Sequence, residues 1–473
     1  LSSAASDVYK RQFLNDVDWL DNLKLRVSYG EVGNDGINSS LWSQNWEATS
    51  DKRYQGAVNG AFLPSYSLGA DMANKDLKWE TTITRNIGVD FGFFNSRLTG
   101  TIDAYWNTTK DLLMKTAIPG ITGFTSTYAN VGQTSNKGIE IALQGVLVKT
   151  RDWNVTAGFN INFNRGKVDK LADNVTGLYG TEWATSSTFP KSDYVLKEGR
   201  PVGLVRGLTA DGFYTTDDFT YENGVYTLKE GVADVSSAVF PNYHLHNGMN
   251  ERPAGQLAYP GMAKFKDLND DGIINDDDVD VIGDMTPVHT GGFNINATYK
   301  NFDLGLYFNW SYGNEIYNVN KLAALYGYKE GAVYENKLSI VKDCYKIYDV
   351  VNGELVALTT PEQLNAANAN AKLPLAYSEN GYVSTLGIED GSYLRLNTLT
   401  LGYTLPKSML QKAGISNLRV YGSIYNVFTI TGYSGIDAEV STSTSTKTYP
   451  QLGMDWGTYP RARSFVLGVN LSF

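Results

Sequence analysis

The sequence predicts an all-β fold, a transmembrane antiparallel β-barrel with long extracellular loops. Three observations carry that expectation. Apolar and polar residues alternate in at least nine runs of about ten residues, and short turns alternate with long excursions. No uninterrupted apolar stretch reaches the roughly 18 residues of a membrane helix, so a chain that crosses a bilayer must do so with strands.

The runs follow in order. Leu23 to Tyr29 is the first candidate, and Ile83-Arg85-Ile87-Val89-Phe91-Phe93 the next, with Thr84, Asn86, Gly88, Asp90 and Gly92 on its opposite face. After a turn at Asn95-Ser96, Leu98, Gly100, Ile102, Ala104 and Trp106 alternate with Thr99, Thr101, Asp103, Tyr105 and Asn107. Ile139-Ile141-Leu143 joins Trp153-Val155-Ala157-Phe159-Ile161-Phe163, whose other face is Asn154, Thr156, Gly158, Asn160, Asn162 and Asn164. Phe293-Ile295-Ala297-Tyr299 pairs with Leu304-Leu306-Phe308-Trp310 across Lys300-Asn301, and Tyr393 to Leu405 and Leu418 to Ile430 follow. The chain closes on Phe465-Leu467-Val469-Leu471-Phe473, backed by Gly468, Asn470 and Ser472.

A soluble β-sandwich alternates in the same way, with its apolar face inward. Two features favour the membrane. The polar faces are rich in Asn, Thr and Gly, which suits a wet lumen, and the connections are sorted by length. Short turns at Asn95-Ser96, Lys149 to Asp152 and Lys300-Asn301 fall on one side, and excursions at about 34–80, 110–136, 166–291, 314–391 and 431–461 on the other. Outer-membrane barrels sort their loops this way, with the short turns periplasmic.

The chain has 473 residues, 42% hydrophobic, with 31 Tyr, 9 Trp and a net charge of −10. The aromatic residues suit interfacial girdles, and the acidic balance argues against a nucleic-acid surface. Cys344 is the single cysteine, which excludes an intrachain disulfide. Residues 1–12, Leu1 to Gln12, have neither strand alternation nor the pattern of a signal peptide and read as a scar joined at Phe13, with residues 13–473 as the barrel segment.

Several stretches carry a family resemblance. They are Leu77-Lys78-Trp79-Glu80-Thr81-Thr82, Asn130 to Glu140, Gly391 to Pro406, Asn417 to Thr431, Tyr433-Ser434-Gly435-Ile436-Asp437-Ala438-Glu439 and Tyr459-Pro460-Arg461-Ala462-Arg463. In this order, over nearly all of residues 13–473, they resemble the C-terminal barrel of SusC/RagA-type TonB-linked outer-membrane transporters. The resemblance implies nutrient uptake across the outer membrane, of oligosaccharides and sometimes peptides, with a SusD-like lipoprotein as an external lid. It implies energy from a TonB complex acting through an N-terminal box and plug. The expectation is that this chain is the C-terminal portion, about ten strands, of a roughly 22-stranded barrel, with plug and TonB box absent and outer-membrane lipid around it.

Two enzyme-like constellations are weak. Gly432-Tyr433-Ser434-Gly435-Ile436 begins like a nucleophile elbow but has Ile436 where the second glycine belongs, so Ser434 reads as a loop serine. Asp217, Asp218, Asp437 and Glu439 offer carboxylates for a glycosidase pair, yet solvated loop charge is the plainer reading. His244-Leu245-His246 reads as surface rather than a metal pair, and no spacing makes Trp183, Tyr214, Tyr326 and Tyr433 a sugar-stacking platform. Thr360 before Pro361, Glu362, Gln363 and Leu364 predicts an N-capped external helix, a place for lid docking or a surface decoration.

The motif with metal-ligand spacing runs from Asp267 to Asp278. Asp267, Asn269, Asp271 and Asp278 place oxygen donors at loop positions 1, 3, 5 and 12, Gly272 stands at 6, and Ile273 gives a backbone carbonyl at 7. That is the arrangement of an EF-hand-type loop, so Ca2+ is expected there as a structural clamp. Asp278 replaces the usual glutamate, as in dockerin-like loops, and the alternative is an acidic turn without a metal.

The sequence therefore reads as part of a non-enzymatic importer. The rivals are a secreted β-sandwich glycosidase or carbohydrate-binding module, marked by free solubility and turnover, and a passive adhesive barrel.

Overall fold

The computed structural model describes residues 17–36, 41–44, 46–49, 56–59, 61–63, 65–69, 71–172, 175–184, 188–240, 252–325, 338–376, 381–410, 414–441 and 451–473. Leu1 to Gln12, His244, His246 and Tyr326 lie outside the described residues.

Ten long strands make one antiparallel meander in chain order. They are β1 (Leu20–Asn34), β2 (Glu80–Phe93), β3 (Leu98–Ala117), β4 (Ser126–Lys149), β5 (Trp153–Lys170), β6 (His289–Tyr299), β7 (Phe302–Tyr312), β8 (Tyr393–Thr404), β9 (Asn417–Thr431) and β10 (Ser464–Ser472). Register carries the alternation across the sheet. Val27 lies opposite Ile87, Ile87 opposite Ala104, Ala104 opposite Ile139 and Ile139 opposite Phe163, an apolar rung five strands wide.

That apolar face is uncovered by protein. Phe465 is 72% and Leu467 90% exposed, and on β8, paired on both sides, Leu401 is 53% exposed. A sandwich would bury these side chains, so the sandwich reading fails on them. Two aromatic belts bound the face. Near the short turns, Trp153 lies 4.4 Å from Tyr299 and Phe302 4.7 Å from Tyr403; toward the other end, Phe163 lies 5.4 Å from His289, itself stacked 5.0 Å from Tyr312. Ten residues separate Trp153 from Phe163, so at 3.3 Å per residue and a tilt near 45° the belts stand about 23 Å apart, close to the height of a barrel's apolar band.

The short turns gather at one end. Phe94, Asn95 and Ser96 take positive φ, as does Lys300. At the other end the 110–136 excursion is corrected. β3 and β4 run on as a hairpin, leaving only residues 118–125 between them. The alternation breaks at Asp111, at φ 60°, where the register slips between Thr109 and Leu112, but the ladder resumes with Leu113 opposite Asn130.

The connections at 166–291, 314–391 and 431–461 fold into a body with its own core. Tyr214, Tyr226, Tyr259, Ile274 and Leu364 are fully buried in one cluster, and Val205, Tyr317, Leu322 and Met454 in a second. The segments interleave. Thr188-Phe189 pairs in parallel with Gly381-Tyr382, and Tyr317-Asn318 with Met454-Asp455. Two hairpins turn on Asn223-Gly224 and Asn352-Gly353, both residues of each pair at positive φ. The expected helix, α1, spans Pro361–Asn368; Thr360 Oγ1 accepts the Gln363 N–H, and Gln363 Oε1 accepts the Thr360 N–H. It ends at Asn368, whose side chain bonds the Lys346 backbone.

Candidate functional site

The face opposite the apolar stripe is polar and tied together across strands. Arg26 on β1 bonds Asp90 on β2 at 2.9 Å and Asp103 on β3 at 2.8 Å. It reaches Asp103 by lying over Gly88, where any Cβ would collide with both charged groups. Asp303 on β7 and Arg419 on β9 repeat the arrangement across β8, with a 2.8 Å bond over Gly402. Between these pairs Tyr105 donates to Asn164 at 2.8 Å, and Tyr307 to Asn296 at 3.0 Å. Amides, hydroxyls and matched charges are the groups that exchange hydrogen bonds with a hydrated solute.

Where this wall meets the loop body, four charged residues converge. Arg395 on β8, 2% exposed, donates to Asp437, to Glu439 at 2.8 Å and to Thr429 at 2.9 Å. Arg461 reaches Asp437 at 3.3 Å and Glu439 at 3.0 Å. Solvated loop charge was expected at Asp437 and Glu439, and the structure corrects it at Asp437, which is 7% exposed. Asp437 lies only six residues beyond the end of β9, which brings it back over Arg395. Asp218 is likewise paired: burial alone would raise its carboxyl, but Lys264 at 2.7 Å and the Thr215 N–H hold it below the usual range.

A second polar cluster adjoins. Lys321 lies 3.1 Å from Glu389, which accepts from the Ser434 hydroxyl at 2.9 Å and the Ser434 N–H at 3.0 Å. Burial opposes the charge on Glu389, yet these donors bring its pKa below the ordinary value. Ser434 is therefore a structural donor to a carboxylate. Tyr433 donates to Asp455 at 2.7 Å and is 6% exposed, while Tyr214 is fully buried with its hydroxyl on the Ala233 carbonyl. Both are core residues. Trp183 is half-buried, and its backbone N–H, with those of Glu182 and Ala184, donates to the buried Asp193, whose carboxyl burial pushes up.

The Asp267–Asp278 loop closes on itself. Asp267 accepts from the Gly272 N–H at 2.7 Å and Asp271 from the Ile273 N–H at 2.9 Å, with Asp270 and Gly272 at positive φ. Asp267, Asn269 and Asp271 sit together; Asn269 donates to Asp271 at 2.9 Å. Asp278 is fully buried and accepts from the Leu268 and Asn275 N–H groups, while the Ile273 carbonyl accepts from the Asn275 amide. Among the described residues no three acidic, His or Cys side chains form a ligand cluster, so Asp278 does not join Asp267 and Asp271 as a third carboxylate. The oxygen donors suit a hard cation, with the side chains of Asp267, Asn269 and Asp271 on one side of the turn.

With this geometry in place, the comparisons fix the family. A sequence profile described as "TonB dependent receptor-like, beta-barrel" matches residues 8–259, more than half of the chain. The chain belongs to the TonB-dependent receptor β-barrel family. It is similar to TonB-dependent receptor P3 of Formosa agariphila, 30% identical over 99% of this chain and 41% of the relative, and to TonB-dependent receptor SusC of Bacteroides thetaiotaomicron, 28% identical over 98% and 39%. A solved structure of the RagAB peptide importer in its closed-closed state shares the fold, with a TM-score of 0.69, 24% identity and coverage of 98% of this chain and 42% of that one. The chain thus spans about two-fifths of the length of the curated relatives it matches. The family's barrel resides in the outer membrane, and it is a receptor rather than an enzyme fold, in keeping with the engaged Ser434, Asp218, Asp437 and Glu439.

Proposed function

We propose that this TonB-dependent receptor segment forms part of an importer that passes oligosaccharides or other nutrients, peptides among them, through its lumen without covalent chemistry. The observation that carries the reading is the cross-strand polar wall from Arg26 to Arg419, continuous with the body folded from the loops at one end. Likeness to a protein named SusC and to a structure named a peptide importer supports it. A SusD-like lipoprotein over the loop body and a TonB complex acting through an N-terminal region are the partners this reading requires. Uptake of labelled oligosaccharides and peptides by cells carrying or lacking the complete transporter tests it. Equal uptake of every tested solute in both strains would reject import.

Within the same reading the Asp267–Asp278 loop is assigned to Ca2+. Asp267, Asn269, Asp271 and the Ile273 carbonyl are its ligands, with Asp278 closing the loop from below through the backbone. The ion would hold the strand Asp280–Asp284, which follows directly, against Leu204–Gly207 in the loop body.

A further inference from the structure

In the loop body, Leu178–Gly180, Tyr194–Leu196, Leu204–Gly207 and Asp280–Asp284 form a small sheet at the mouth of the polar wall. It is tied to the end of β5, where the Val168 N–H donates to the Arg200 carbonyl at 3.0 Å and the Gly199 N–H to the Val168 carbonyl at 2.7 Å, and its last strand leads into β6. Arg206 in this sheet is half-buried. Its Nη1 donates to Ser192 Oγ at 2.8 Å, and its guanidinium lies 4.8 Å over the Tyr179 ring. Among the described residues its side chain has no other hydrogen bond and no ion pair. Arg26, Arg395 and Arg419, by contrast, each hold a carboxylate of this chain. Burial pulls the Arg206 pKa below its ordinary value, opposed by the neighbouring Tyr179 and, from beyond ion-pair distance, by Asp276. A guanidinium drawn out of water without a carboxylate is unfavourable, so an anion that arrives beside it is favoured.

The surroundings of Arg206 are fixed through one residue. Asp193 is fully buried, and its carboxylate accepts the N–H groups of Glu182, Trp183 and Ala184. Its own N–H donates to the Gly180 carbonyl at 3.2 Å, and its carbonyl accepts the Arg206 N–H at 2.9 Å. Asp193 therefore holds Gly180 next to Tyr179, its own neighbour Ser192, and Arg206 in one arrangement. Gly207 adds close packing behind them, since a Cβ there would lie 2.5 Å from the Val383 carbonyl oxygen. Tyr179 stays 49% exposed, so this rigid platform opens to solvent.

We propose that Arg206, braced by Ser192 and lying over Tyr179, binds a carboxylate of the incoming solute at the mouth of the lumen. With Nη1 held by Ser192, the edge formed by Nε–H and Nη2–H meets both oxygens of a carboxylate in parallel. The rest of the platform is a ring and a hydroxyl, which suits a singly charged group. Because Asp193 fixes the arrangement beforehand, little order has to be created on binding. The inference rests on the import reading and narrows it to acidic solutes, with the carboxylate supplied by a uronic-acid oligosaccharide or by a peptide.

The test is calorimetry on the complete transporter in detergent with two matched pairs of probes: trigalacturonate against its methyl ester, and an acetylated alanine tetrapeptide as the free acid against its C-terminal amide. At least one acid should bind roughly tenfold more tightly than its uncharged partner, and the pair that discriminates names the source of the carboxylate. Arg206→Gln should bring that ratio to about one, with binding of the uncharged probe by the same variant reporting an intact loop body. Arg206→Lys should keep part of the preference, and Lys197→Gln, at the exposed pair with Asp280, should keep all of it. Acetate should compete with the acid probe better than inorganic phosphate does. No binding of either acid at millimolar concentration, equal binding of acid and uncharged probes in both pairs, a ratio unchanged in Arg206→Gln, or stronger competition by phosphate would each overturn the proposal. Failure of the import reading shows differently: the purified transporter would discriminate, yet cells carrying it would take up no more of any solute than cells lacking it.

Discussion

Arg395 and Glu439 meet at 2.8 Å, the first on a membrane-spanning strand and the second in the segment that leads to the last strand. With Asp437, Thr429 and Arg461 they fix the path of that segment over the wall. All five fall in stretches that carry the family resemblance in sequence.

Replacing Arg395 by Met should leave Asp437 buried with the half-exposed Arg461 as its remaining cationic partner. Breaking a buried ion pair from one side costs roughly 3–5 kcal/mol. Limited proteolysis of the complete transporter should then cut within 432–441 much faster than in the wild type, whereas Arg461→Met, at an exposed partner, should have a smaller effect. Unchanged protection in Arg395→Met would show that packing alone holds the segment.

Acid should loosen the loop body through Glu389. Its folded pKa lies below the ordinary carboxyl value because the Ser434 and Lys321 donors outweigh burial. A depressed carboxyl stabilises the fold above its unfolded pKa, about 4.3, and that stability is lost as pH falls through the lower folded value. Melting curves between pH 6 and about pH 3 should therefore show a steeper loss in the wild type than in Glu389→Gln, which is already destabilised at neutral pH. Parallel curves would remove Glu389 from the acid response.

Calorimetry of the complete transporter should detect one Ca2+ that a chelator removes, and Asp267→Ala/Asp271→Ala should abolish it. Chelation should also speed proteolysis near 267–284. No heat at millimolar calcium, or binding unchanged in the double variant, would make the loop a self-sufficient acidic turn held by its backbone bonds.

The turns set the topology. A cysteine at Ser96 should resist impermeant reagents on intact cells, and one at Glu354, in the hairpin of the loop body, should react. Phe473→Asp should lower the amount of transporter inserted, because it places a charge at the rim of the apolar stripe. Labelling at Ser96 from outside would invert the orientation, and normal insertion of Phe473→Asp would detach the last residue from assembly.

The strands were legible because a face in contact with lipid enforces strict alternation, as Trp153 to Phe163 shows. Their ends were not, because β3 and β4 leave the membrane past Asp111 and lipid no longer selects every second residue. The loop body was scarcely legible. Its core is made by contacts distant in sequence, such as Tyr317 paired with Met454, and no period announces them. Two local signals were available: Asn223-Gly224 and Asn352-Gly353, each flanked by β-forming residues, mark tight hairpins. The capped helix at Pro361 was read because its signal is local. Asp437 was misread because nothing in its neighbourhood says that Arg395, on another strand, returns to neutralise it.

Leu467 at 90% exposure and Leu322 at 0% mark the two ways this chain uses an apolar side chain. In the loop body, contact with water is the quantity to minimise; on the strands, solvent-facing area is the part that dissolves in lipid. A substitution to serine at either leucine removes favourable transfer from water, yet only the one at Leu322 leaves a cavity. Tolerance to change therefore follows opposite rules a few nanometres apart: size matters in the loop body, where neighbours are fixed, and polarity matters on the strands, where fluid chains refill any gap.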